Sequence, residues 1–198
     1  MKEIVVATKN AKKIVELKAA LAGLPVRLLS LAEVADVEEA VEDGVTFEEN
    51  ALKKAQHYLA ATGRACLADD SGLEVDALGG APGVYSARYG GEAANDAANN
   101  AKLLSELATV PQEKRTARFR CVLVFLDLDG RKIISEGACE GSIGYEAKGE
   151  HGFGYDPLFR LADGNRAMAE LTMAEKNAIS HRGNAVRVMA EKLKGVLG

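Results

Sequence analysis

Tryptophan is absent, and aromatic residues make up 5% of the 198 positions. Alanine, leucine and valine must therefore do most of the packing, in a chain whose 47% apolar content is enough for a sizeable core. There are three cysteines and three histidines. Cys66, Cys121 and Cys139 are odd in number and far apart, which suits reduced, buried thiols in a cytoplasmic protein rather than a disulfide framework. Cysteine and histidine never cluster, so a zinc site is not expected. No apolar run approaches the ~20 residues that would span a bilayer. The start of the chain shows no signal-peptide pattern. A net charge of −4 argues against a general nucleic-acid binder, which would be basic, but leaves room for a small anion held by a few local cations.

What is present is an α/β pattern in one domain over residues 1–198, without linker, repeat or low-complexity segment. Glu3–Ala7 reads as a buried strand, Thr8–Asn10 as its break, and Ala11–Ala22 as a helix with Ile14, Leu17 and Leu21 at helical spacing. Val26–Leu31 reads as a second strand and residues 33–44 as an acidic loop. Thr46-Phe47-Glu48-Glu49 is a capping-box pattern opening a helix to about Ala61, stopped by Gly63. Ala65–Ala68 reads as a third strand that ends at Asp69-Asp70, because acidic pairs are poor strand formers. Leu78–Gly91 is glycine-rich and reads as a long loop, Ala94–Ala108 as a helix. Ala117–Phe125 alternates as a strand. Asp129-Gly130 is a hairpin signal, and Lys132–Cys139 is the return strand. Gly149–Pro157 is a glycine-rich loop. Thr172–Glu175 repeats the capping box before a helix to Leu197, interrupted at Gly183.

Chemistry concentrates at Leu67-Ala68-Asp69-Asp70-Ser71-Gly72-Leu73. Two adjacent carboxylates repel unless a cation, a proton or a lysine neutralises them. Mg2+ suits such a pair, since it takes carboxylate oxygens and keeps several waters. The plain alternative is a solvated acidic turn. Thr8, Asn10 and Lys13 lie where a strand feeds a helix, a place that offers free backbone N–H groups to an anion, with Lys13 able to reach a phosphate. They also read as an ordinary loop. Gly152-Phe153-Gly154-Tyr155-Asp156-Pro157 combines glycines that permit close approach with aromatic faces for a base. Lys176, Ser180, His181 and Arg182 offer donors near a helix break, suited to a purine acceptor or to a solvated basic face. Glu42, Asp43, Glu48 and Glu49 offer a further metal ligand or an exposed acidic patch.

Two patterns are set aside. Gly144–Gly149 has Walker A glycine spacing, but Glu150 stands where lysine is required. Asp127-Leu128-Asp129-Gly130 resembles the opening of the haloacid dehalogenase phosphatases, but it continues into a strand and reads as a hairpin turn.

Taken in order, Thr8-Lys9-Asn10 to Lys13, Thr46–Ala51, Ala68–Leu73, Leu78–Gly83, Tyr85–Tyr89, Phe153–Pro157 and Ser180-His181-Arg182 resemble the inosine triphosphate pyrophosphatase family over the whole chain. The departures are Lys9 and His151, where glycine is common. The resemblance implies an elongated, two-lobed α/β protein with a bent mixed sheet flanked by helices and a central cleft, acting as a homodimer. It implies Mg2+-dependent hydrolysis of ITP, dITP and XTP to the monophosphate and pyrophosphate. It places the triphosphate on Thr8, Lys9, Asn10, Ala11, Lys12 and Lys13, and the metal on Glu42 and Asp70. Asp70 becomes the general base with Asp69 beside it. Ser71, Phe153, Gly154, Tyr155, Asp156, Lys176, His181 and Arg182 line the substrate site, His181 and Arg182 offering donors to a 6-oxo group. Two other classes stay open: a nucleotide sensor without turnover, and a binder of modified bases in nucleic acid, against which the net charge counts.

Overall fold

The computed structural model describes residues 2–34, 37–91 and 95–197. Its centre is a six-stranded mixed sheet in the order β2-β1-β3-β4-β5-β6. The strands are β1 (Lys2–Val6), β2 (Val26–Ser30), β3 (Ala65–Val75), β4 (Thr116–Leu126), β5 (Lys132–Ile143) and β6 (Phe159–Leu161). The helices are α1 (Ala11–Ala20), α2 (Leu31–Val34), α3 (Phe47–Thr62), α4 (Asp96–Glu106), α5 (Met173–Ile179) and α6 (His181–Leu197). The chain divides into two compact units. The first comprises residues up to Asp70, Cys121–Gly137 and from Arg182 onward, and the second Ser71–Arg120 with Ala138–His181.

In the first unit β1 lies parallel to both β2 and β3. Ile4, Val5 and Val6 are all buried, as expected of a parallel strand covered on both faces. Ile4 and Val6 pack with Leu17 and Leu21 of α1, Leu67, Leu123, Phe125 and the inner face of α6. Asn10 caps α1, its side-chain oxygen accepting the N–H of Lys12 at 3.0 Å and of Lys13 at 3.3 Å. Thr46 caps α3, accepting from Glu49 N–H, and Gly63 closes that helix in the left-handed conformation at φ 61°. The Glu49 carboxylate reaches the N–H of Val45, one residue before the cap.

The second unit packs Leu73, Val75, Leu103, Leu107, Phe119, Ile143, Phe159 and Leu171. β6 runs antiparallel to β5, a short strand that the sequence pattern did not reveal. Leu78–Gly91, expected to be a loop, holds the end of one 3-10 turn (Asp76–Leu78) and all of another (Gly83–Arg88). The helix expected from Ala94 starts at Asp96; Ala94 lies outside the described residues.

Three expectations need correction. β3 does not stop at the acidic pair but continues through Asp69, Asp70, Ser71 and Gly72 to Val75. Buried cations neutralise the pair, so the carboxylates no longer favour a solvated strand end. The acidic segment 33–44 is not wholly loop: Leu31–Val34 closes a helical turn, with Glu33 accepting the N–H and hydroxyl of Ser30. Residues 35 and 36 lie outside the description. The break before α6 falls at Ser180, with extended backbone at ψ 158°, and Gly183 lies inside the helix. The Asp127–Gly130 segment is a turn, as expected: Asp127 accepts the N–H of Leu128 at 2.8 Å and ion-pairs with Lys2.

Candidate active site

In the first unit, Asp69 is 1% exposed and accepts two cations on Oδ2, Lys13 Nζ at 3.0 Å and Arg182 at 3.3 Å. A second Arg182 nitrogen lies 2.6 Å from Glu16. Asp70 turns to a different partner. Its Oδ1 lies 3.5 Å from Lys54 Nζ, which is 3.0 Å from Glu42 Oε2. The other oxygens, Asp69 Oδ1 and Asp70 Oδ2, are buried without a hydrogen-bond partner among the described residues. A buried acceptor left open in this way costs free energy unless a ligand, ion or water completes it.

The environments push the two carboxyls in opposite directions. Burial opposes ionisation of Asp69, but Lys13, Arg182 and Lys54 outweigh it and hold its carboxyl well below the usual range. For Asp70 burial wins. Lys54 and Lys13 pull its pKa down, Glu42 and Asp69 push it up, and the net result is a raised value. Burial pulls the Lys54 ammonium down, yet Asp70, Asp69 and Glu42 raise it above the ordinary lysine value. Neighbouring carboxyls driven apart in this way can serve as one fixed anion and one more basic group.

Glu42 comes from a segment without regular structure, placed by lacing along α3. His57 Nε2 contacts the Glu38 carbonyl at 2.8 Å, and Gly44 N–H donates to Asn50 Oδ1 at 2.8 Å. Lys53 ion-pairs with Asp43. A Cβ on Gly44 would stand 2.7 Å from Asn50 Oδ1, so only glycine lets the segment approach the helix so closely.

At the start of α1, Thr8 Oγ1 accepts Asn10 N–H at 3.2 Å. Lys9 reaches Glu39 at 3.2 Å, and Ala11 and Lys12 form the exposed first turn. Of the N–H groups expected to be free here, those of Asn10, Lys12 and Lys13 are taken by the Thr8 and Asn10 side chains, so what this helix start offers an anion is chiefly lysine charge.

The second unit holds the aromatic loop. Phe153 N–H donates to Asp156 Oδ2 at 2.9 Å, and Lys176 Nζ donates to the same oxygen at 2.8 Å. Lys176 Nζ also lies 4.6 Å from the Phe153 ring centroid. Gly152, at φ 77°, leaves no room for a Cβ, which would meet Asp156 Oδ2 at 2.1 Å. The Tyr155 hydroxyl donates to the Ser86 carbonyl at 2.7 Å. His181 is buried and stacked on Phe119, with centroids 4.7 Å apart and planes at 17°. Ser71 is half-buried on β3.

Thus Thr8–Lys13, Glu42, Asp69, Asp70 and Arg182 gather in the first unit. Phe153–Asp156 and Lys176 gather in the second. Arg182, expected to offer donors to a purine, directs two nitrogens to carboxylates. Sequence reasoning passed over Lys54 and Glu16, and met Asn50 only as part of the Thr46–Ala51 stretch. Lys54 carried a signal: the buried stripe of α3 is Phe47, Asn50, Ala51, Lys54, Ala55 and Tyr58, and a lysine on an apolar stripe needs a buried counter-charge. Glu16 carried none, since its partner is 166 residues away.

A mixed α/β sheet with a buried carboxylate pair among lysines, beside a lysine-rich helix start, has the makings of a phosphate-processing enzyme. The chain belongs to the Ham1 family, whose model matches residues 4–192. It is 53% identical over 193 residues to the dITP/XTP pyrophosphatase of Geobacter sulfurreducens, covering 98% of this chain and 97% of that one. Among solved structures, the Ham1 protein of Staphylococcus aureus superposes with a TM-score of 0.88 at 40% identity, covering 98% of this chain and 99% of that one. The HAM1 protein from Coxiella burnetii gives 0.88 at 42% identity, covering 98% and 100%.

Proposed function

We propose that the protein hydrolyses nonstandard purine nucleoside triphosphates (ITP, dITP and XTP) between the α- and β-phosphates, releasing pyrophosphate and the monophosphate. The observation that carries this reading is the Asp69–Asp70 pair: one carboxyl locked as an anion, the other raised by burial and left with an open oxygen. Kinship with dITP/XTP pyrophosphatases at about half identity over nearly the full chain supports the substrate class.

In this reading Asp70 is the general base. Its raised pKa makes it the better proton acceptor of the pair for the water that attacks the α-phosphorus. Asp69 stays charged and holds Lys13 in place. Lys13, Lys12, Lys9, Thr8, Asn10 and Ala11 receive the triphosphate at the start of α1. Arg182, committed to Glu16 and Asp69, serves the substrate through Asp69. Ser71, Phe153–Asp156, Lys176 and His181 receive the purine.

Asp70 and Glu42 are the metal-binding pair. Among the described residues no three His, Cys, Asp or Glu side chains form a metal cage. Two carboxylates, with the other positions filled by water and phosphate oxygens, fit Mg2+. When bound, the ion supplies charge neutralisation across phosphate oxygens. Lys54 Nζ lies 3.5 Å from Asp70 Oδ1 and 3.0 Å from Glu42 Oε2, so these two carboxylates converge on one cation, and Asp70 Oδ2 stays open for the water's proton. The homodimer and a cytoplasmic location belong to the same proposal. No helix among the described residues is long and apolar enough to cross a membrane.

The test is product analysis with Mg2+ and a panel of dITP, ITP, XTP, dATP and dGTP. Pyrophosphate and monophosphate from the first three support the reading. Orthophosphate and a diphosphate would move the attack to the γ-phosphorus and overturn it, and loss of turnover in EDTA checks the metal.

A further inference from the structure

Helix α4 contributes no residue to the candidate site, yet it grips the aromatic loop at one residue. Gly154 N–H donates to Asp96 Oδ2 at 2.8 Å, and the Gly154 carbonyl accepts from Asn100 Nδ2 at 2.9 Å. Asp96 and Asn100 are four apart on one helix, so they project from the same face. Their placement is set locally. Asn95 caps the helix by accepting the N–H of Ala98 at 3.1 Å, and Asp96 sits in the first turn, where the helix dipole favours a carboxylate.

The choice of Gly154 matters. It lies at φ 61°, and no atom stands within 4 Å of where its Cβ would be. It is therefore the point between Phe153 and Tyr155 at which the loop would turn most freely. Its N–H belongs to the peptide before its α-carbon and its carbonyl to the peptide after. Holding both fixes the two rotations about that α-carbon, and with them the direction of Phe153 relative to Tyr155. Within the loop, Asp156 N–H closes a turn on the Phe153 carbonyl at 3.2 Å, Phe153 N–H and Lys176 both meet Asp156, and Tyr155 is held at its hydroxyl; the contacts from α4 add an anchor outside the loop at the two peptides of Gly154.

We infer that Asp96 and Asn100 are positioning residues for base selectivity: by pinning Gly154 at both peptides they hold the Phe153–Asp156 loop in the one conformation that tells a 6-oxo purine from a 6-amino purine. This rests on the reading that the loop receives the purine. Discrimination through hydrogen bonds is steep only where the donors and acceptors cannot shift to suit the wrong base. A loop free to turn at Gly154 would accept both.

A control lies one residue away. Asn99 is buried on α4 but turned elsewhere, bonding the Ala87 carbonyl and the Gly90 N–H. The full-length protein carrying Asp96→Ala with Asn100→Ala is compared with wild type, Asp96→Asn and Asn99→Ala. Kinetics are read on dITP and dATP, and amide hydrogen exchange over residues 152–156 is read without nucleotide. In the double variant exchange should rise at least tenfold. The KM for dITP should rise by ~10-fold with kcat within ~3-fold, and the dITP-to-dATP ratio of kcat/KM should fall by ~10-fold. Asp96→Asn, which keeps an oxygen for the Gly154 N–H, should keep the ratio within ~2-fold. Asn99→Ala should lower Tm and leave the ratio alone. An unchanged ratio or unchanged exchange in the double variant overturns the inference, as does an equal loss of ratio in Asn99→Ala. A wild-type protein that releases no pyrophosphate from dITP overturns the proposed function instead, and the exchange measurement still judges the grip on Gly154.

Discussion

Replacing Lys54 by methionine removes the cation that, among the described residues, ion-pairs with Asp70, and leaves the volume of the side chain almost unchanged. Lys54 Nζ lies 3.5 Å from Asp70 Oδ1 and 3.0 Å from Glu42 Oε2. At an effective dielectric of ~20 the direct attraction at such distances is on the order of 5 kcal/mol per pair, before the cost of desolvating the ions is subtracted. Glu42 is partly solvated, with 38% of its side chain exposed, so screening takes most of its share. Asp70 decides the outcome, because its side chain is 11% exposed. Without Lys54 it must remain a buried charge beside Asp69 or take a proton. Taking a proton at pH 7 from an ordinary carboxyl costs about 1.36 kcal/mol for each of ~3 pH units, which caps the loss near 4 kcal/mol. The expected destabilisation is therefore ~2–4 kcal/mol at pH 7.

The sign of the pH dependence follows. The folded pKa of Asp70 already lies above its unfolded value and rises further in the variant. For a raised carboxyl, stability is present below the unfolded pKa and is lost as pH climbs through the folded pKa. The gap between wild type and variant should therefore close as pH falls from 7 to 5, by up to about 1.4 kcal/mol per unit. Urea unfolding at pH 5, 6, 7 and 8 measures it. A gap under ~1 kcal/mol at pH 7, or one independent of pH, would refute the claim that Lys54 neutralises Asp70.

Asp70→Asn should lower dITP turnover by at least ~10²-fold, as expected for loss of a positioned base, while Asp69→Asn costs less; steady-state rates with both variants check the order. Arg182→Ala removes the guanidinium shared by Glu16 and Asp69, leaving Asp69 with Lys13, and should cost ~3–5 kcal/mol in urea unfolding, with Arg182→Lys recovering part of it. Burial pushes the Cys66 and Cys121 thiols up to about 12, so at pH 8 only ~10⁻⁴ of each is thiolate. A disulfide-exchange reagent should leave both unmodified in the folded protein over minutes, and fast labelling at either would contradict their burial.

Elements with local signatures were legible in the sequence. β1 announced itself by an apolar run, α1 by Ile14, Leu17 and Leu21 at helical spacing, and the hairpin by Asp129-Gly130. The capping box expected at Thr172 forms in full, while Thr46 caps α3 but Glu49 bonds Val45 N–H instead of the cap's own. The misplaced features depend on long-range partners. The continuation of β3 through Asp69-Asp70 needs lysines from α1 and α3 and an arginine from α6, none adjacent in the chain. The break at Ser180 precedes a glycine that looked the more natural stop. Of the candidate site, Lys13 and the acidic pair were readable because their types and spacing carry chemistry. The lacing that presents Glu42 was not, because a glycine against Asn50 and a histidine against a carbonyl have no pattern of their own.

The stripe of α3 also has a bearing on engineering. Its lower half, Ala51, Ala55 and Tyr58, packs as any helix would, while Asn50 and Lys54 occupy neighbouring stripe positions with polar groups. Core redesign for stability would put leucine at 54, since a buried ion pair is often matched or exceeded by well-packed hydrocarbon once both charges are removed together. A sequence optimised that way, with Asp70 and Glu42 neutralised as well, would gain thermal tolerance by discarding the charges proposed above to carry the chemistry. Screens of this helix alone will retain Lys54, since its removal strands Asp70, whereas screens that vary Lys54 together with Asp70 and Glu42 and rank by melting temperature will favour loss of all three charges.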